Sequence, residues 1–409
     1  MKKWIAIFLA LCLSLPLLAC GKEEAPPPST TETTATQATV PEEPVKPIVG
    51  ISLPNDTNAF WLQSGQLMKA QLEEAGYTAA VLFAENDIEK QERHLREMLL
   101  NEVVCIVVAA IDSFELADEL ADAKAQGIPV IAYERLLMNT DAVDGYISFD
   151  YETIGKEMAQ QVILAKQLDD PTVEKRPYTI ELFMDTPASH SSYLLHQGAI
   201  QVLQPYLDSG ALVCCSGRLA FEDTCIPMDT YESALNTSLS RLRQEYSERR
   251  LDICFAATDI IADACRGGLS ATGHTVNEHL IVTGQGGGLT GSKAVANSRQ
   301  LLTVYKDVEA LAKACTDMAL RLIAGEVPET NASYNNGLRP IPAMILPHKV
   351  ITRDNYTQEL VETDIYSEAD LPAPTTLPTE ETTETTEAGE TTAATEADAT
   401  TETTAPSTT

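Results

Sequence analysis

From Lys46 onward, short apolar runs alternate with amphipathic stretches. Ile48–Leu53 (IVGISL) predicts a strand. Across Phe60–Ala75, the residues Trp61, Gly65, Met68, Leu72 and Ala75 recur at spacings of four and three, which is one face of a helix. Gly76 ends it. Ala79–Ala84 reads as a strand, Ile88–Leu100 as a helix and Val103–Ala109 as a buried strand. Leu116, Leu120 and Ala123 mark a helix stopped by Gly127, and Ile128–Ala132 and Tyr146–Phe149 are further strands. The rhythm then restarts. Tyr178–Met184, Ala211–Cys215, Leu251–Ala256, Leu280–Thr283 and Leu301–Tyr305 read as strands. Helices fall over Ser189–Leu207, near 229–247 and near 258–270, and a last helix carries Val308, Leu311, Cys315, Met318 and Leu322 on one face.

Strands that are apolar throughout and separated by helices predict parallel sheets covered on both faces. Two successive runs predict an α/β protein of two doubly wound lobes. In open sheets of this kind ligands sit beyond the carboxyl ends of the strands, so two facing lobes make a cleft.

The ends of the chain break the pattern. Lys2 and Lys3 precede an apolar stretch, Trp4–Leu18, which reads as an export signal over residues 1–19. Residues 20–47 hold almost no large apolar side chains and read as a disordered tether. Residues 371–409 are rich in Thr, Glu and Ala, with eight acids and no Lys or Arg, and read as a solvated low-complexity tail. Over all 409 residues, 28 Lys and Arg stand against 60 Asp and Glu, a net charge of −32. The ends account for only part of that excess, so the body is acidic too, and a surface built for nucleic-acid phosphate is excluded. Beyond the first 20 residues no apolar run reaches the ~18 needed to span a bilayer.

Seven cysteines remain after Cys12 and Cys20: Cys105, Cys214, Cys215, Cys225, Cys254, Cys265 and Cys315. Seven cannot all pair. Cys225 with Cys214 or Cys215 is a candidate disulfide, while Cys105 and Cys254 sit in apolar strand patterns as small hydrophobes. There is no GxSxG, HExxH, P-loop or EF-hand pattern. His190 and His196 read as surface or cleft-lining residues rather than metal ligands. The glycines at 284, 286, 287 and 288 read as a strand-to-helix turn rather than a nucleotide loop. The expectation is a binder, not an enzyme, with no cofactor and no metal.

Several segments resemble a known family. VGISLPNDTNAFW (49–61), GIPVIAYERLL (127–137), DGYISFDYETIG (144–155), LQPYLDSG (203–210), VTGQ (282–285), LLTVYKD (301–307) and YNNGL (334–338) are similar, in order, to type I periplasmic sugar-binding proteins of the xylose and multiple-sugar branch. Leu17-Leu18-Ala19-Cys20-Gly21 resembles the lipobox of bacterial lipoproteins. These resemblances imply a membrane-anchored receptor, lipidated at Cys20 and held on the extracytoplasmic face. It would be a monomer whose two hinged lobes close on a small ligand, a carbohydrate, and hand it to an ABC permease. A sensory lipoprotein acting on a membrane kinase or chemoreceptor, or a structural lipoprotein with a degenerate cleft, stays open. The implied lobes are 48–149 with about 286–325, and 150–285 with about 326–366.

The resemblance also implies ligand-binding positions. Arg135, Asp150 and Lys306 match the family's charged sugar contacts, and Phe60 and Trp61 sit where the first loop enters the cleft. Each has a plain structural alternative: Arg135 an interlobe ion pair, Asp150 and Asp259 helix caps, Lys306 a solvated lysine, Trp61 a core residue. The chain departs from the family pattern at Phe60 (an arginine there), Glu134 (aspartate), Tyr151 (asparagine), Thr258 beside Asp259 (asparagine) and Gly286 (aspartate). The family's stacking tryptophan in the second lobe is replaced here by Leu219, with Phe221 close by. Loss of several polar contacts together implies a ligand larger or less polar than the ancestral sugar.

Overall fold

The computed structural model describes residues 45–172, 176–274, 276 and 279–371. Strands and helices alternate from the start: β1 (Ile48–Leu53), α1 (Ala59–Glu74), β2 (Thr78–Phe83), α2 (Ile88–Leu100), β3 (Cys105–Val108), α3 (Ala117–Ala125), β4 (Val130–Tyr133) and β5 (Val143–Phe149). A second series follows: α4 (Tyr151–Ala165), β6 (Tyr178–Phe183), α5 (His190–Asp208), β7 (Leu212–Val213), α6 (Phe221–Thr224), α7 (Tyr231–Glu245), β8 (Ile253–Ala256), α8 (Asp259–Ala271), β9 (Ile281–Val282), α9 (Leu289–Ala296) and β10 (Leu302–Lys306). Then come α10 (Val308–Ile323), β11 (Ala332–Asn335), β12 (Pro340–Leu346) and β13 (His348–Thr352).

The first sheet runs β11-β12-β5-β4-β3-β1-β2, parallel except for the β11–β12 hairpin. The second runs β7-β6-β8-β9, all parallel. A bridge between Gly286 and Tyr305 ties the loop after β9 to β10, which pairs antiparallel with β13. Both faces of the first sheet are covered, as its continuous apolar strands require. Along β3, Cys105 and Val107 enter one hydrophobic cluster and Ile106 and Val108 the other. This is the expected α/β fold of parallel-sheet lobes.

The lobe boundaries need correction. Residues 286–325 were expected with the first lobe, yet β10 pairs with β13 in a two-stranded sheet bridged to the loop after β9 on the second-lobe side, and only α10 packs on the first sheet. Residues 326–366 were expected with the second lobe, yet β12 lies parallel to β5 in the first sheet. Pro340 and Pro342 hid this strand. They fall where β12 pairs only with β11, and the register with β5 starts after them, at Ala343 opposite Tyr146. The chain therefore crosses between the sheets after β5, after β10 and after β12, where Pro347 alone separates β12 from β13.

The first crossing delivers α4 onto α5. A Cβ on Gly198 would come within 1.9 Å of the Glu152 carbonyl oxygen, and one on Gly155 within 2.0 Å of that of Leu195. Only glycine allows the two helices to touch backbone to backbone. All seven core cysteines are free, so the candidate disulfide at Cys225 does not form. Leu371, expected to open the solvated tail, is buried in a cluster with Tyr356 and Leu360. The export signal, Cys20, the tether and the rest of the tail lie outside the described residues. Among the described residues no helix is long and apolar enough to cross a membrane.

Candidate functional site

The carboxyl ends of the strands of both sheets converge, and the turn that leaves β4 sets the geometry. The Arg135 N–H closes back on the Tyr133 carbonyl at 2.7 Å, with Glu134 between them at φ +64°. A side chain in that region is strained and must be held from outside. Strand β5 holds it. The Glu134 N–H donates to the Ile147 carbonyl at 2.8 Å, and the Glu134 carbonyl accepts from the Tyr146 and Ser148 hydroxyls.

The turn sends Glu134 and Arg135 to different partners. Arg135 Nη2 lies 3.4 Å from Asp185 and 3.2 Å from Asp229, both on the second lobe, while Nη1 donates to the Ala110 carbonyl at 3.1 Å. The guanidinium also sits 5.4 Å from the Trp61 ring, a favourable cation–π contact. Trp61 is buried and meets Phe60 edge to face.

Lys306, at the end of β10, makes the reverse crossing. Its ammonium donates to the Tyr151 hydroxyl at 2.6 Å and lies 3.5 Å from Glu134 Oε2, which in turn accepts from Tyr151. Three rings enclose it: Phe60 at 4.7 Å, Tyr151 at 4.9 Å and Phe149 at 5.5 Å. A third link joins the Ser113 N–H to the Ala188 carbonyl.

Burial shapes the acid–base properties. Desolvation, and then repulsion from Asp229, push Asp185 up to about 7 against the pull of Arg135. Burial, and then the Glu134 carboxylate, raise the Tyr151 hydroxyl far above its ordinary range. It therefore stays protonated and donates.

Among the described residues, four buried polar atoms near these strand ends have no hydrogen-bond partner: Trp61 Nε1, Ser113 Oγ, Glu134 Oε1 and Gln285 Oε1. They belong to α1 after β1, the loop after β3, the turn after β4 and the loop after β9. In open α/β sheets generally, ligands bind beyond this end of the strands.

A family model described as a periplasmic binding protein domain matches residues 49–326. The chain belongs to the periplasmic binding protein family. The multiple sugar-binding periplasmic protein SbpA of Azospirillum brasilense is 31% identical over 342 residues, covering 82% of this chain and 94% of that protein. The multiple sugar-binding periplasmic receptor ChvE of Rhizobium radiobacter is 32% identical over 328 residues, covering 78% and 91%. An ABC transporter solute-binding protein from Clostridium phytofermentans, solved with bound β-D-glucose, superposes with a TM-score of 0.74 at 30% identity, covering 79% of this chain and 99% of that one.

In this periplasmic binding protein, the expected positions divide into two groups. Phe60, Trp61, Glu134, Arg135 and Lys306 come together as described. Asp150, Thr258 and Asp259 make their bonds elsewhere. Asp150 caps α4, accepting from the Thr153 N–H and hydroxyl. Thr258 caps α8, accepting from the Ile261 N–H. The Asp259 carboxylate accepts from the Gly287 N–H, Gln300 and Thr303. It thereby pins a turn in which Gly286 and Gly287 have φ of +137° and +68°. His190 stacks on Tyr193, and His196 bonds the Leu219 carbonyl. Phe221 is buried edge to face with Tyr193.

Three of the departures from the family pattern, Phe60, Glu134 and Tyr151, surround the one ammonium of Lys306. They form a coupled set rather than separate losses. Sequence reasoning missed Asp185 and Asp229. Asp185 follows β6 as Glu134 follows β4, so the strand-end rule that favoured one could have found the other. Asp229 lies in an irregular segment with no periodic signal.

Proposed function

We propose that this chain is an extracytoplasmic solute receptor that captures a carbohydrate between its two lobes. It is lipid-anchored through Cys20 and passes its ligand to an ABC permease. The observation that carries the ligand class is the set of four buried, unpartnered polar atoms at the strand ends. The set contains an obligate donor, two acceptors and a hydroxyl that can do either. Leaving such groups unpaired costs about 1–3 kcal/mol each, and a polyol, with a donor and an acceptor on neighbouring carbons, can satisfy them together. Phe60 and Trp61 supply apolar faces for the C–H side of a sugar ring. The sugar-binding names of the relatives support the same class.

In this reading Phe60, Trp61, Glu134, Arg135 and Lys306 touch the ligand, while Asp150, Thr258 and Asp259 hold the cleft walls. The crossings after β5, β10 and β12 serve as the hinge, and closure brings Arg135 to Asp185 and Asp229. Titration calorimetry and thermal unfolding against pentoses, hexoses and disaccharides test it. A ligand at 100 times its dissociation constant raises stability by about 2.7 kcal/mol. A panel that produces neither heat nor a shift in midpoint overturns the carbohydrate reading. Membrane fractionation of Cys20→Ser tests the anchor separately: the variant leaves the membrane, and retention there overturns lipidation at this residue.

A further inference from the structure

Charge is unevenly distributed between the two cross-cleft bridges. Lys306 faces one carboxylate, Glu134. Arg135 faces two, and through a single nitrogen: Nη2 lies 3.4 Å from Asp185 and 3.2 Å from Asp229. The side chains are 6%, 10% and 16% exposed respectively, so water does little to dilute the mismatch. The second guanidinium nitrogen is spent on the neutral Ala110 carbonyl. Asp185 Oδ1 receives the Thr186 N–H, a neutral donor. One positive charge thus balances two negative charges in a largely desolvated place.

A separate observation concerns the neighbouring Lys306 bridge and the loop after β9. Glu134 is 2% exposed, yet its Oε1 has no hydrogen-bond partner among the described residues. Gln285 is 7% exposed and its Oε1 is likewise unpartnered. Beside the Trp61 indole N–H and the Ser113 hydroxyl, the capacity left open at the cleft thus includes two acceptor oxygens, one of them on a carboxyl group that already faces Lys306. A neutral hydroxyl can donate to it, but a charged N–H donates about twice as strongly. The carboxylates Glu134, Asp185 and Asp229 outnumber the cations Arg135 and Lys306.

We infer that the ligand carries a protonated amine beside its hydroxyls, so that the class is an amino sugar or amino polyol, with the ammonium group seated against Asp185 and Asp229. The inference rests on the carbohydrate reading above and narrows it. The upward displacement of Asp185 to about 7 reports the same imbalance, since burial and Asp229 cause it. Without an incoming cation the site relieves that repulsion by taking up a proton. With one, the proton is not needed.

Calorimetry on the full chain at neutral pH decides between these, using matched pairs: glucose with glucosamine, galactose with galactosamine, and mannose with mannosamine. The N-acetylated forms serve as a third arm, because they keep the nitrogen and lose the charge. The expected result is that in at least one pair the amine binds about ten-fold or more tightly than its neutral partner. N-acetylation removes the advantage, and Asp229→Asn brings the amine-to-neutral ratio close to one. Neutral hexoses binding as tightly as their amines, or more so, overturn the inference and leave the carbohydrate reading standing. No binding by any sugar, charged or neutral, overturns both. The N-acetyl comparison uses the unaltered protein, so the inference can fail even if Asp229→Asn does not fold.

Discussion

Arg135 reaches from the first lobe to Asp229 of the second at 3.2 Å, and Lys306 returns from the second lobe to Glu134 of the first at 3.5 Å. Each lobe thus lends the other a cation. Two charged bridges that originate at strand ends thus join the lobes, beside the Ser113–Ala188 backbone link.

Removing the first bridge is expected to cost affinity. Arg135→Ala leaves Asp185 and Asp229 facing each other with no cation between them. Affinity for the sugar found by calorimetry should drop by about ten- to a hundred-fold, or about 1.4–2.7 kcal/mol. An unchanged dissociation constant would remove Arg135 from the site.

The second bridge depends on a phenol. Tyr151→Phe deletes the hydroxyl that accepts from Lys306 and donates to Glu134. Two buried charges then lose their shared partner, and unfolding free energy should fall by about 1–3 kcal/mol in urea titrations. A neutral result would mean that the ammonium and the carboxylate close directly on each other.

Asp185 makes a pH prediction. Its carboxyl is displaced upward, to about 7, so the folded protein holds a proton that the unfolded chain has already released. Stability contributed by that proton is full below the unfolded carboxylate range near 4 and is lost as pH rises toward 7. Urea midpoints compared between the wild type and Asp185→Asn isolate the effect. The wild type should lose stability relative to the variant across that window, and parallel profiles would contradict it.

The α4–α5 contact is expected to tolerate no side chain at Gly198. A methyl group there meets the Glu152 carbonyl oxygen at 1.9 Å, and both atoms belong to rigid helices. Gly198→Ala should lower stability by about 3 kcal/mol despite the better helix propensity of alanine. Thermal unfolding measures it, and a gain in midpoint would show that the helices can part cheaply.

Trp61 offers an optical readout. In a Trp4→Phe background it is the sole indole of the chain. The Arg135 guanidinium lies 5.4 Å from its ring, so any ligand that moves Arg135 should change its emission. A saturating ligand with no effect on the spectrum would place Trp61 in the core alone.

Much of the fold was legible because long apolar strands and glycine-stopped helices follow from local periodicity. Strand β1 and helix α2 fall where the pattern puts them. The final strands were not legible. The prolines of β12 argue locally against a strand, and its partner β5 lies some two hundred residues earlier, beyond any periodic window. At the site, the strand-end rule and the resemblance led to Glu134, Arg135 and Lys306. What they bond to was not readable, since the ion pairs with Asp185 and Asp229 depend on how the two lobes meet. Asp150, Thr258 and Asp259 could be read either as contacts or as caps, and only coordinates separate those uses.

The threefold passage between the sheets has a consequence for how the molecule is assembled. Strand β5 stays an open edge until β12 arrives, and β10 has no antiparallel neighbour until β13 does. A chain that ends between β5 and β12 leaves β5 as an unpaired edge, a template for sticking to other chains. Neither half can be expressed alone as one uninterrupted segment, and the polypeptide completes both only when its last strands emerge.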